Sequence, residues 1–280
     1  MKKIVLAVMA GLMLTAVGCG KKGCIDPNAV NYDEDATKDD GTCVYPEEED
    51  HIHITLKFVH TVDGTPLEFD TLKYTNAAGN QYKVSRLNYF VSKVMFSGAA
   101  ADVLADTMHY VDGQDSTTML WHVDAHMEKG SYTGISFIFG MDSLMNHSTV
   151  FNNLPESNMA WPDPMGNNNG NMTDDGSHYM KIEGKFLDSA SVLSNFNTHT
   201  GPSMGKQYFV QVSLPSSSFT AGDKDLTIEI KMDINKWYTS PNDFDFNTYG
   251  DAIMMNMAAQ MALKQNGADV FSIGSITETP

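Results

Sequence analysis

From residue 52 the chain alternates. Ile52, Ile54, Leu56 and Phe58 are apolar, His53, Thr55, Lys57 and Val59 fill the places between them, and His60 shares the apolar parity. A repeat of two is what a strand with one buried face requires, because successive side chains leave a strand on opposite sides. Residues 226–234 repeat it, with Leu226, Ile228, Ile230, Met232 and Ile234 set against Thr227, Glu229, Lys231 and Asp233. Residues 131–139 and 208–214 form two more strands. Residues 87–96 are apolar at both parities, Leu87, Tyr89, Val91 and Met95 opposed to Phe90, Val94 and Phe96, which predicts a central strand covered on both sides. Turns are marked at Val62-Asp63-Gly64-Thr65-Pro66 and Ala78-Gly79-Asn80. Short strands between Gly- and Pro-containing turns predict a mainly β fold, a β-sandwich with long loops. One segment, 250–265, has helical spacing: Ile253, Met254, Met257, Ala258 and Met261 predict a C-terminal helix with its methionines in the core, ended by Gly267.

The amino terminus reads differently. Lys2 and Lys3, an apolar run over 4–16, and Ala16-Val17-Gly18 before Cys19 predict a lipoprotein signal peptide over residues 1–18. Cys19 would then carry the lipid and anchor the protein to a membrane of the bacterial cell envelope, as an outer-membrane lipoprotein on its periplasmic or surface face. Cys24 and Cys43 are the only other thiols, and in an oxidising compartment they are expected to pair. Within the loop they close, Asp26, Asn28, Asn31, Asp33, Asp35, Asp39 and Asp40 alternate with small residues, an arrangement suited to calcium. Residues 23–46, closing on Asp39-Asp40-Gly41-Thr42-Cys43, resemble the DDGxC-type calcium-binding repeats of bacterial surface proteins. Residues 19–50 are therefore read as tether and disulfide-closed acidic loop, and 51–280 as the main domain.

A net charge of -17 with no cluster of Lys or Arg argues against nucleic acid as a partner. With the thiols accounted for, a transition-metal site must draw on His, Met, carboxylates or a group made after translation. Residues 144–201 gather His147, Met159, Trp161, Met165, Met172, His178, Met180 and His199, and imidazole with thioether favours copper over calcium or magnesium. His178 shares the parity of Met180 and Ile182, which predicts that it faces inward; His60 does so on its own strand. His122, Asp124 and His126 alternate and could hold zinc, but the turn at Glu128-Lys129-Gly130 favours a solvated strand edge. No nucleophile elbow, phosphate-binding glycine loop or His-Glu-x-x-His motif occurs, so the chain is not read as an enzyme.

Several short motifs follow one another in a set order. Gly140-Met141-Asp142-Ser143 ends a strand, Asn146-His147 follows, then Met159-Ala160-Trp161, a strand from His178 to Gly184 with Lys181-Ile182-Glu183, and the turn His199-Thr200-Gly201. Upstream, Gly64, Tyr74-Thr75-Asn76 through Gly79, and Leu87-Asn88-Tyr89-Phe90-Val91-Ser92 fit as well. In this order, over about residues 52–273, the chain resembles the MbnP-type, methanobactin-associated copper-binding proteins. The resemblance implies that His147 and His199 ligate Cu(I). It also implies that Trp161 is oxidised to kynurenine by a di-haem peroxidase-like (MauG-like) partner and becomes a ligand. Met159, His178 and His60 complete the candidate set, and an outer-membrane transporter is a further implied partner. Asp163 stands where the family often has a second Trp, and Met204-Gly205 where a Cys often follows the turn. The function expected is Cu(I) binding for storage, uptake or delivery. The alternative is a calcium-dependent surface adhesion or ligand-binding lipoprotein without a transition metal, using exposed aromatics such as Trp237 and Tyr238.

Overall fold

The computed structural model describes residues 20–45, 51–146, 159–160, 176–203 and 205–279, apart from the side chain of His126. The chain divides into two compact units, 1–49 and 50–280. In the first, β1 (Lys22–Gly23) pairs in parallel with β2 (Lys38–Asp39), and Cys24 is bonded to Cys43. The signal peptide and Cys19 lie outside the described residues.

The second unit holds two sheets. Its strands are β3 (His51–Val62), β4 (Thr65–Pro66), β5 (Tyr74–Thr75), β6 (Gln81–Gly98), β7 (Val103–Asp112), β8 (Leu120–Glu128), β9 (Gly130–Phe139), β10 (Met180–Leu187), β11 (Leu193–Thr200), β12 (Val210–Leu214), β13 (Phe219–Ala221), β14 (Leu226–Asp233) and β15 (Phe271–Glu278). An eight-stranded sheet runs β11-β10-β6-β9-β12, with β5 and β7 also on β6 and β13 on β9. A five-stranded sheet runs β15-β14-β3-β4, with β8 on β3; β14 and β3 are parallel. The alternation read in β3 and β14 is realised: Ile52, Ile54, Leu56, Phe58 and His60 are buried, as are Leu226, Ile228, Ile230 and Met232. The core fills the space between the sheets, where Phe58 of β3 meets Tyr89 of β6 edge-on and Phe139 of β9 meets Phe271 of β15. The fold is a mainly β sandwich with a C-terminal helix, as the alternation predicts. No described helix is long and apolar enough to cross a membrane.

Three local expectations need correction. In β6, Leu87, Tyr89, Val91, Val94 and Phe96 all enter the main core, not opposite faces. The register slips between Ser92 and Val94, where Lys93 takes φ +52°, and one extra residue in a strand reverses its parity. In the helix α1 (Met257–Asn266), Met257 and Met261 are 43% and 41% exposed, whereas Ala259, Gln260, Ala262, Leu263 and Asn266 are buried. The buried face is chosen by polar anchors: Asn266 Nδ2 donates to the carbonyls of Trp237 and Asn242. Gly267 follows the helix with φ -59°, not in the left-handed region; a Cβ there would meet Val210 at 2.7 Å and Trp237 at 2.8 Å, so close packing is what demands glycine. Trp237 and Tyr238 are not exposed aromatics. They lie in the main core, Trp237 against Phe139 and Tyr238 with its hydroxyl on Thr198.

Candidate metal centre

The outer face of the eight-stranded sheet carries a second apolar cluster of Phe90, Met141, Met159, Tyr179 and Tyr208, flanked by Met108, Tyr110, Met145 and Phe209. Chain enters it from β9 through Gly140, whose φ is +91° and whose Cβ would fall 2.6 Å from the Tyr179 ring. Only glycine meets both demands. Asp142 then organises the next turn: its Oδ1 accepts from the backbone N–H of Leu144 and Met145, and its Oδ2 pairs with Lys93 Nζ at 2.6 Å.

The turn delivers Asn146, which is buried and behaves as a short piece of strand. Its Oδ1 accepts from Ser177 N at 2.7 Å and its Nδ2 donates to Ser177 O at 3.1 Å, so one side chain satisfies both backbone groups of one residue. Ala160 forms an antiparallel bridge to the same Ser177. Asn146→Ala would leave the Ser177 N–H and C=O buried without partners. A loss of about 2 kcal/mol is expected, measurable by urea denaturation.

One residue on from this junction, His178 is buried, and its backbone N–H and Nδ1 both bond to the Met159 carbonyl, at 2.7 and 3.0 Å. A carbonyl only accepts, so the ring proton sits on Nδ1 and the lone pair on Nε2. The His199 ring of β11 stands edge-on to it, centroids 5.0 Å apart. His199 Nε2 bonds to Glu183 Oε1 at 3.0 Å, and Glu183 pairs with Arg86 at 3.3 Å. Behind the ring, the His199 carbonyl accepts from Gln260 of α1 at 2.7 Å. Burial drives the His178 pKa down to about 2, with Lys181 and His199 adding to the shift, so the ring is neutral at physiological pH. The hydrogen bond from His199 is the main reason the Glu183 carboxyl titrates below its usual range, and desolvation lowers Lys181. Two imidazoles, one held neutral by burial, suit a soft, low-coordinate ion.

The predicted residues are distributed unevenly about this junction. His147 and Trp161 lie outside the described residues, as do Met165, Met172, Asp163 and Met204. Their chain neighbours Asn146 and Ala160, however, both meet Ser177, Asn146 through its side-chain hydrogen bonds and Ala160 as its β-bridge partner. His178 is buried as expected, but it does not share the inner face with Met180 and Ile182, because β10 begins only at Met180 and strand parity does not extend back to it. Met159 is fully buried and contributes its carbonyl to His178. His60 stands apart: it lies between the sheets, bonded to the Tyr89 hydroxyl at 3.0 Å, whereas His199 sits opposite Lys181 on the outer face. Burial pushes the His60 pKa down to about 4.

His122 bonds to Thr55 and, like Asp124, is exposed. In the N-terminal unit the carboxylates of Asp26, Asp39 and Asp40 accept from the backbone N–H two residues on, and Asp33 and Asp35 pair with Lys21. Asn31 bridges to Thr42 and Val44. Among the described residues no three His, Cys, Asp or Glu side chains are grouped to hold one ion. Sequence reading missed Ser177, Glu183 and Gln260 as parts of the centre. Glu183 alone left a signal, an acidic residue at the parity of Lys181.

The MbnP family model matches residues 51–256. Among solved structures, MbnP from Methylosinus trichosporium is similar in fold, with a TM-score of 0.53 and 14% identity, covering 79% of this chain and 98% of that one. No curated protein matches the chain. The motifs that converge on Ser177 fall within the matched span, which takes in most of the chain: the protein belongs to the MbnP family.

Proposed function

We propose that this protein binds Cu(I) as cargo, for storage, uptake or delivery and not for catalysis, at a centre built around His178 and His199. The observation that carries this reading is the junction at Ser177. Asn146 hydrogen-bonds to it, Ala160 pairs opposite it in a β-bridge, His178 follows it, and His199 packs on His178. His147 and Trp161, the ligands implied by the family resemblance, come next in the chain after Asn146 and Ala160. His147, Trp161 and the two described imidazoles would thus supply the donor set, with no thiolate.

In this reading Cys19 carries the lipid that keeps the protein in the envelope. A di-haem peroxidase-like enzyme oxidises Trp161, and a transporter of the outer membrane exchanges the metal. Copper loading tests the central claim. Protein purified without chelators, incubated with Cu(I) under reducing conditions and desalted should retain stoichiometric copper. Retention of calcium alone would favour the calcium-dependent lipoprotein reading. Peptide mapping of Trp161, from cells that also express the peroxidase, tests the modification by mass.

A further inference from the structure

We infer that Glu183 is a positioning residue that selects the ligating nitrogen of His199: by holding the ring proton on Nε2, it leaves Nδ1 as the atom presented to the metal. The inference rests on the copper reading above and assigns a role to a residue outside its donor set.

An ionised carboxylate accepts hydrogen bonds and cannot donate them, so the 3.0 Å contact requires the proton on His199 Nε2. A neutral imidazole with its proton on Nε2 carries its lone pair on Nδ1. The carboxylate is itself fixed. Glu183 sits opposite Arg86 in the β10–β6 register and pairs with its guanidinium, and the strands slip register directly after it, between Glu183 and Gly184. The ring's backbone is fixed as well: Gln260 donates to the His199 carbonyl and accepts from Gly201 N at 3.3 Å, tying that strand end to α1. A carboxylate on the far nitrogen sets the tautomer and ring orientation of a ligating histidine and raises its basicity. His178 reaches the complementary arrangement through the Met159 carbonyl, which holds its proton on Nδ1. The two rings therefore offer different nitrogens, a pairing that follows from one carbonyl and one carboxylate.

The test uses Ag(I) as a spectroscopic probe and Cu(I) for affinity, on the whole protein with 15N-labelled histidine. In the wild type, silver–nitrogen coupling is expected at Nδ1 of His199. Glu183→Leu should lose that selectivity and lower Cu(I) affinity, in competition with a chelator, by roughly 10-fold or more. Should Glu183→Leu fail to fold, Glu183→Gln takes its place; its amide can donate as well as accept, so a mixture of nitrogens and a weaker affinity are expected. Coupling at Nε2 in the wild type overturns the inference, as does a folded variant with unchanged coupling and affinity. A wild type that binds neither ion overturns the copper reading and this inference with it.

Discussion

His199→Ala is expected to reduce Cu(I) retention after desalting to background, and His178→Ala to do the same. Replacing only a group hydrogen-bonded to a metal ligand changes metal affinity by about 10–100-fold, so removing a ligand itself should exceed that range. The two rings are 5.0 Å apart and belong to different pieces of chain, one leading into β10 and one near the end of β11, so neither can replace the other from its own strand. His60→Gln supplies the contrast. His60 bonds to Tyr89 between the sheets, and its replacement should leave copper retention as in the wild type. Copper bound equally well by His199→Ala and the wild type would place the site elsewhere.

Gly184→Ala is expected to be the most damaging single methyl in the eight-stranded sheet. A Cβ at 184 would lie 1.9 Å from the Lys83 carbonyl oxygen and 2.8 Å from the Phe196 ring. Neither neighbour can yield: Lys83 belongs to β6, paired directly with β10, and Phe196 is stacked on Phe246 with ring centroids 4.2 Å apart. Inserting an atom into such packing costs about 3 kcal/mol, which for a unit of this size lowers Tm by roughly 6–12 °C. Gly222→Ala is the control, since nothing lies within 4 Å of its Cβ position, and a change within about 0.5 kcal/mol is expected. Thermal unfolding of the two variants separates a specific steric demand from a general cost of replacing glycine. Because Gly184 follows Glu183, the same substitution should also loosen the contact between Glu183 and His199.

Elements whose own residues repeat with a single period are legible in the amino-acid sequence itself. The strands β3 and β14 bury the residues their alternation selects, and Cys24 and Cys43 are bonded as the cysteine count requires. The order of motifs, too, points to the family whose model matches the chain. Periodicity fails where the chain departs from one repeat. In β6 an irregularity at Lys93 returns Val94 and Phe96 to the core that Leu87 faces. In α1, polar anchors turn Gln260 and Asn266 inward and leave Met257 and Met261 outside. The candidate metal centre lies furthest from what a linear reading can reach. A strand or helix face is set by residues a few positions apart, which act through the backbone's own geometry. The clasp of Asn146 on Ser177 and the bond of His199 to Glu183 join residues 31 and 16 positions apart. Their energies depend on a burial that exists only once both sheets have closed, so tertiary structure alone decides which polar groups meet.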